Sequence, residues 1–460
     1  MYFAYGCGVP FSGAVVEAGG ASGAASASAG NGGKPSAGQS SGGAGQSSSD
    51  DGGSDGGDPV VSAAGDGGAT VAAGGSPGSE PCVVDPDGDG SCVGAIAAGS
   101  YATCALTAAG AVRCWGYNVN QRLGDGVLDH ALCGTGSGDC STTPVSVTGV
   151  ENARFVMGGE NSFCALNAAH ELWCWGWDMT NGTDIGLGTA RRLGSFAVRA
   201  ASLRLPIGAV DDQGRAWMAG YDDQGLGVFG DGATMPGALR DFSGMPVLED
   251  VIALDVGWQH SCAVLASKTV ACWGRGQSGE LGDGELQDRY VPTPVTTLND
   301  HPALAVAVGD AVSCALVEGG SVWCWGGNEH GQLGRGDPAA SAQAVSVEGL
   351  LDAVEIDAGF GHVCARRATG NVVCWGHDRH GQLGDIADHG NCSDAVPEPC
   401  SHSPVEVSNL DDAVAISVGR QHSCALRASG EVVCWGRNDR GQLGNGTFDG
   451  AQTPVSVTGL

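Results

Sequence analysis

Six cysteine pairs recur along the chain with a single spacing. Cys104 and Cys114, Cys164 and Cys174, Cys262 and Cys272, Cys314 and Cys324, Cys364 and Cys374, and Cys424 and Cys434 are each ten residues apart. Thiols set this close either form a disulfide or share a soft metal ion. In QHSCALRASGEVVCWGRNDRGQLGNG (421–446), Ala428, Ser429 and Gly430 lie midway between Cys424 and Cys434. Two strands folded back about that turn place the cysteines opposite each other, with Cα atoms roughly 4.5–5.5 Å apart and within disulfide reach. One degenerate repeat acts as an internal control, because Gly208 and Met218 stand at its two cysteine positions. Bonded partners are lost together, whereas independent buried thiols have no reason to be. Zinc is the weaker reading, since no C-x-x-C occurs and each hairpin offers only two thiols.

The remaining cysteines also fall into close pairs: Cys82 with Cys92, Cys133 with Cys140, and Cys392 with Cys400. The nine pairs use eighteen of the nineteen cysteines and leave Cys7. Ala4-Tyr5-Gly6-Cys7 resembles the end of a bacterial lipoprotein signal, in which small residues precede a lipidated cysteine. The charged region and most of the apolar stretch of such a signal are missing ahead of it, so the natural start is expected upstream of Met1. Eighteen paired thiols and a lipidated one fit an oxidising compartment outside the cytoplasm.

Other residue types offer less. Asp85, Asp87 and Asp89 in DPDGDG (85–90) are spaced like the first half of a calcium loop. The twelfth position, which should carry a bidentate acid, is Ile96. A plain acidic turn clipped by Cys82 and Cys92 is the alternative, and no cofactor other than calcium is expected. His260, His362 and His422 share one repeat position, two residues before a cysteine, where other repeats have Ala102, Ser162 and Val312. A residue recurring around a repeat belongs to the architecture, so these rings are expected to satisfy buried polar groups; a metal site in a central channel is the alternative. His330 and His380 read as variable turn residues, while Trp173, Trp177 and Trp258 are candidates for exposed contacts. Neither a G-x-S-x-G elbow nor a P-loop lysine motif is present, and no catalytic set can be named.

An internal repeat must position these residues. The glycine after each Cys-Trp falls at Gly116, Gly176, Gly274, Gly326, Gly376 and Gly436, with a weaker copy around Gly220. Within each unit, short spans of alternating apolar and polar residues are separated by glycine turns, so each reads as several antiparallel strands. One such sheet buries too little surface alone. Seven arranged radially bury their faces against neighbours, which is a propeller.

The repeats resemble those of the regulator of chromosome condensation family, a seven-bladed propeller. The match is carried by GWQHSCAV (257–264), GSVWCWGGNEHGQLGRG (320–336), GNVVCWGHDRHGQLGD (370–385) and GEVVCWGRNDRGQLGNG (430–446). It extends from about Val93 to Leu460. WD40 propellers are disfavoured by the longer period and by Trp-Gly where Trp-Asp would stand. The family includes a nuclear guanine-nucleotide exchange factor and a propeller inhibitor of β-lactamase. The resemblance therefore implies protein binding, with exchange activity as a further possibility in the family.

Repeats are read here as opening on a strand such as Thr143–Gly149 and continuing into Phe155–Gly159. The first repeat begins abruptly at AIAAGSYATCAL (95–106), and the chain ends on TPVSVTGL (453–460). The expectation is that this C-terminal strand completes the first blade and closes the ring. Two long insertions, Gly126–Thr142 and Asp385–His402, follow the tails of the first and sixth repeats and are expected to frame one groove on one face.

Composition sets the remaining bounds. With 42% hydrophobic residues and 81 glycines, the chain has a large core and many turns. Acidic residues outnumber basic ones 51 to 21, and the resulting net charge of −30 repels phosphate backbones, excluding nucleic acid as a natural partner. No run reaches the roughly 18 apolar residues of a membrane helix, so a membrane is met only through the lipid anchor. The organisation expected is a signal remnant (1–10), a low-complexity linker rich in Gly, Ser, Ala and Asp (11–81), an acidic turn (82–92) and an all-β seven-bladed propeller (93–460). The function expected is binding of an extracellular or envelope protein, or secondarily a glycan, by a monomer. A hydrolase or lyase with loop-borne carboxylates is the alternative.

Overall fold

Each repeat folds into an antiparallel sheet whose strands are taken in chain order. In the computed structural model the described residues are 93–460, apart from 129, 135–137, 179–182, 194–197, 204–205, 223, 234–237, 241–245 and 393–396. The lipidation expected at Cys7, the linker, the Cys82–Cys92 bridge and the acidic turn of Asp85, Asp87 and Asp89 lie outside the described residues.

Blade 7 illustrates the pattern, with strands Ala413–Val418, His422–Arg427, Val432–Gly436 and Ala451–Ser456. The first three are almost wholly buried, as their runs of Ala, Val and Ile require. The fourth is half-exposed. Six further sheets repeat this order, so the described chain forms seven blades. Blade 1 gains a short fifth strand, Ala131–Leu132, from its insertion. The first strand of every blade touches the first strands of both neighbours, and blade 7 touches blade 1, which closes the ring around an axis.

The C-terminal strand does not complete the first blade. Ala451–Ser456 pairs with Val432–Gly436 inside blade 7, and the fourth strand of blade 1 is its own Asp139–Ser146. Blades are thus cut one strand later than the repeat phase read from the sequence. A periodic pattern fixes the length of its unit but not its start, and only hydrogen-bond pairing decides between the phases. The ring closes through side chains and a backbone contact, the Gly446 N–H donating to the Thr142 carbonyl at 3.0 Å. Val455, Val457 and Leu460 pack in one cluster with Val93, Ile96 and Trp115 of blade 1, and Arg113 donates to the Gly459 carbonyl at 3.0 Å.

The six hairpin cysteine pairs form as expected. Cys104 is bonded to Cys114, Cys164 to Cys174 and Cys262 to Cys272. Cys314 is bonded to Cys324, Cys364 to Cys374 and Cys424 to Cys434. In blade 7, Cys424 stands directly opposite Cys434 in the ladder, with 4.0 Å between Cα atoms. The insertion cysteines are also bonded, Cys133 to Cys140 and Cys392 to Cys400, giving eight disulfides among the described residues. In blade 3 the facing pair is Gly208 and Met218, in the same register.

The recurring Cys-Trp-Gly and Gly-Gln-Leu-Gly words are two halves of one seam. Trp115, Trp175, Trp273, Trp325, Trp375 and Trp435 are fully buried. Each donates its indole N–H to a carbonyl in the tail of the preceding blade, as Trp435 does to Gln382 at 2.9 Å and Trp115 to Gln442 at 3.0 Å. The last glycine of the tail makes room for that ring. Gly444 has φ of 66°, and a Cβ there would lie 2.6 Å from Trp115 Nε1. An indole buries roughly 150–250 Å², on the order of 4–6 kcal/mol of gross apolar transfer at about 25 cal/mol per Å².

Candidate functional site

The turns between first and second strands and the loops between third and fourth strands share one end of the propeller. A groove of about 480 Å³ is lined from both sets, by Asp310 and Phe360 of the former and by Arg275, Leu286 and His330 of the latter. At the axis the inner turns approach one another through glycine. A Cβ on Gly419 would stand 2.5 Å from the carbonyl oxygen of Gly99, and one on Gly309 would stand 2.6 Å from that of Gly359. That glycine recurs in six blades, as Gly99, Gly159, Gly257, Gly309, Gly359 and Gly419, while the sequence joining the first two strands of blade 3 (204–206) has none.

The residue after that glycine is not the same. It is Ser100, Glu160, Trp258, Asp310, Phe360 and Arg420 in those six blades. These side chains gather over the channel. The Arg420 guanidinium lies 4.7 Å from the ring centre of Phe360, 5.6 Å from Trp258 and 5.7 Å from Tyr101. It also faces Glu160 at 3.8 Å. A guanidinium within about 6 Å of an aromatic face is held by the ring quadrupole, and here three rings from three blades hold one cation. The cavity left at the mouth is about 30 Å³, room for a water or two rather than a substrate. Beside it, Arg437 stacks on Tyr101, and Arg122 and Arg440 lie over Tyr117. Burial holds the Arg122 guanidinium down to about 10.

The three recurrent histidines do not reach this mouth. Each is fully buried in a seam, with Nε2 against a hydroxyl of the next blade: His260 with Ser313 at 2.8 Å, His362 with Ser423 at 2.9 Å and His422 with Thr103 at 2.8 Å. Those hydroxyls donate to the tail carbonyls of Glu280, Gln382 and Gln442. A hydroxyl has one proton to give, so the Nε2 atoms must carry theirs and donate. These rings are structural, as the recurrence implied.

The seam words, their spacing and the ring of seven sheets match known proteins. Two profiles described as Regulator of chromosome condensation (RCC1) repeat fit the chain. One fits residues 95–122, 251–280, 304–332, 353–382 and 413–442. The other fits 269–316, 319–366, 369–426 and 429–460, and together they take in just over half of the sequence. The chain belongs to the RCC1 repeat family.

Among relatives of the RCC1-repeat chain, the E3 ubiquitin-protein ligase HERC2 of Mus musculus is 27% identical over 369 residues, which are 76% of this chain and 7% of that protein. The ultraviolet-B receptor UVR8 of Arabidopsis thaliana is 26% identical over 208 residues, 45% of this chain and 34% of the receptor. The chain spans well under two thirds of these relatives' length. Two solved structures share the fold at 18% identity and a TM-score of 0.63. Prp20p from Saccharomyces cerevisiae covers 75% of this chain and 85% of its own; human WBSCR16 covers 75% and 93%.

The two long insertions of the RCC1-repeat propeller rise from the same loop position, between third and fourth strands of blades 1 and 6. They do not frame one groove. Each leans on the preceding blade: Gly134 sits against Phe448 of blade 7, and Cys392 lies 3.9 Å from the His330 ring of blade 5. The loop of blade 7 therefore stands between them. His330 is more than a variable turn residue, since its ring packs 4.6 Å from that of His377, and burial lowers the pKa of both. His377 donates to Glu398 at 2.8 Å. Its Nδ1 accepts from the Gln382 amide, whose oxygen is already held by the His380 N–H.

Of the three tryptophans singled out, Trp173 and Trp177 pack against the cores and Trp258 is the exposed one. Sequence reasoning missed Tyr101, Glu160, Phe360 and Arg420. For Glu160, Phe360 and Arg420 the signal was present, as one non-repeating position after a glycine that recurs in six blades; Tyr101 lies one residue beyond it.

Proposed function

We propose that this protein is an exported binding module that captures a protein partner on the face carrying the inner turns and the long loops. The observation that carries the reading is the set Tyr101, Trp258, Phe360 and Arg420, gathered at one mouth by inner turns that share a glycine. Aromatic and arginine side chains are the residue types in which interface energy concentrates. Their placement on rigid strands limits the ordering cost of binding. Prp20p, which shares the fold, is described by its binding to Gsp1p and histones, so a propeller of this architecture is a workable platform for protein partners. Eight disulfides favour an oxidising compartment. Attachment through Cys7 would then hold the propeller at the cell envelope as a monomer.

The test is capture from the native envelope with chemical cross-linking, comparing the wild-type chain with W258A/F360A and with L351S. Leu351 is exposed in a connection between blades, at the opposite end. Loss of the cross-linked protein partner in W258A/F360A alone supports the reading. Equal capture by all three proteins, or a captured glycan without protein, sinks it.

A further inference from the structure

The blade 6 insertion holds a second feature that the binding face does not use. Three of the described repeats keep an asparagine two residues after the Trp-Gly: Asn118, Asn328 and Asn438. Each accepts the N–H of the tail leucine on Oδ1. Each then turns its amide nitrogen to carbonyls of the following loop, Val127 for Asn118, Asp337 and Ala339 for Asn328, Thr447 and Asp449 for Asn438. Blades 2, 3 and 6 carry an aspartate at this place. Asp222 of blade 3 turns both oxygens to backbone, accepting from the Leu226 and Gly227 N–H groups, whereas blade 6 has Asp378. Its Oδ1 still accepts from Leu383 at 3.0 Å, but Oδ2 has no proton to give to a carbonyl. What lies in front of it is His389, whose Nε2 is 4.0 Å from Asp378 Oδ2 and 2.8 Å from Asp385 Oδ1.

Blade 1 supplies the comparison. Its insertion also carries a histidine over an aspartate, His130 Nε2 at 3.0 Å from Asp125, but the third member is the amide of Asn118. The same clip thus exists in two versions, one with a single carboxylate and one with two. In blade 6 the side chains of Asp378, Asp385 and His389 are only 9%, 14% and 10% exposed. Neither carboxylate pairs with an arginine or lysine among the described residues. Two buried carboxylates without a cation repel each other, and an amide at position 378 would avoid that cost.

We propose that Asp378, Asp385 and His389 form a binding site for a divalent transition-metal cation of the zinc class, clamping the blade 6 insertion onto its own turn. The candidate ligand atoms lie within 4.8 Å of one another. In a tetrahedral zinc site with bonds near 2.0–2.2 Å, neighbouring ligand atoms stand about 3.3 Å apart, between the 2.8 and 4.0 Å seen here. The imidazole selects against calcium and magnesium, which take oxygen. Asp378 is already oriented by the Leu383 N–H, the outer support that a ligating carboxylate needs. The nearby set His330, His377 and Glu398 is a poorer site. The Gln382 amide donates to His377 Nδ1, which leaves the ring proton on the Nε2 that a metal would need.

The experiment is calorimetric titration of Zn²⁺ into the chelator-treated full chain, with D378N, H389A, E398Q and H130A alongside. Zinc should bind the wild type, E398Q and H130A alike, while D378N and H389A lose at least tenfold in affinity for one equivalent. D378N recreates the asparagine of three other blades, so it should fold, as an unchanged melting temperature in chelator would verify. Zinc should also slow hydrogen exchange across residues 385–392 in the wild type but not in D378N. Zinc affinity unaltered by D378N, loss confined to E398Q, or no uptake by the wild type would each overturn the assignment.

Discussion

The Thr103 hydroxyl of blade 1 meets the His422 ring of blade 7 at 2.8 Å and passes its own proton to the Gln442 carbonyl at 3.0 Å. The first and last blades are joined here by the bonds that Ser313 makes with His260 and Ser423 with His362 between blades adjacent in sequence. Ring closure needs no special device. It uses one more copy of the ordinary seam.

That seam makes the fold sensitive to acid. Burial holds the His422 pKa down to about 3, against roughly 6.5 in an unfolded chain. Between these values the unfolded state binds a proton that the folded seam refuses, so stability is full above pH 6.5 and drains as pH falls. One such residue contributes up to about 1.4 kcal/mol per pH unit. Urea midpoints measured from pH 7 to pH 5 should fall less steeply for H422Q than for the wild type. Parallel slopes would remove His422 from the account.

The hairpin disulfides should each stabilise locally. Replacing Cys424 and Cys434 together by alanine should cost about 2–3 kcal/mol by the loop-closure model without changing the fold, since blade 3 builds the same register from Gly208 and Met218. Denaturant unfolding measures the cost, and non-reducing peptide mapping should recover Cys424–Cys434 in the wild type. Recovery of free thiols there would contradict the pairing.

Arg420 should act as a plug rather than a support. It is one quarter exposed, and cation–π contacts at such sites are worth roughly 0.5–1 kcal/mol each, so R420A should leave the melting temperature nearly unchanged. Acrylamide quenching of tryptophan fluorescence should rise as Trp258 loses its cover. A large stability loss with unaltered quenching would instead make Arg420 a fold-bearing residue.

Removing residues 451–460 should do more damage than a frayed terminus. The deletion strips the fourth strand from blade 7 and leaves Val432–Gly436 as an unpaired edge. It also uncovers the cluster around Val93, Ile96 and Trp115. Lower melting temperature and concentration-dependent aggregation are expected, read by calorimetry and light scattering. A monomer with the parent melting temperature would show that this strand is dispensable.

Much of this architecture was legible in the sequence, for a physical reason. Cys424 and Cys434 are equidistant from a turn, so their register follows from counting, and the buried tryptophans announce themselves by recurring. The blade boundary was not legible, because a periodic word looks the same whichever strand begins it. The aromatic mouth was harder still. Tyr101, Glu160, Trp258, Phe360 and Arg420 come from five blades, and only the ring brings them together. Asp378 shares its repeat position with Asp178 and Asp222 as well as with three asparagines, so its meaning needed His389 placed opposite it.

Every strand pairing and every described disulfide stays within one blade, while neighbouring blades meet through side-chain seams and short backbone contacts. The order in which the blades are strung is therefore a property of the gene more than of the ring. Val93 and Leu460 already pack in one cluster, so a short linker between them and a cut in the connection between blades 4 and 5 would give a circular permutant with all seven seams preserved. The same reasoning makes whole blades the natural unit of exchange: a blade could be swapped for another that carries the seam histidine, tryptophan and glycine-rich tail, bringing its own residue to the channel mouth and leaving its neighbours undisturbed.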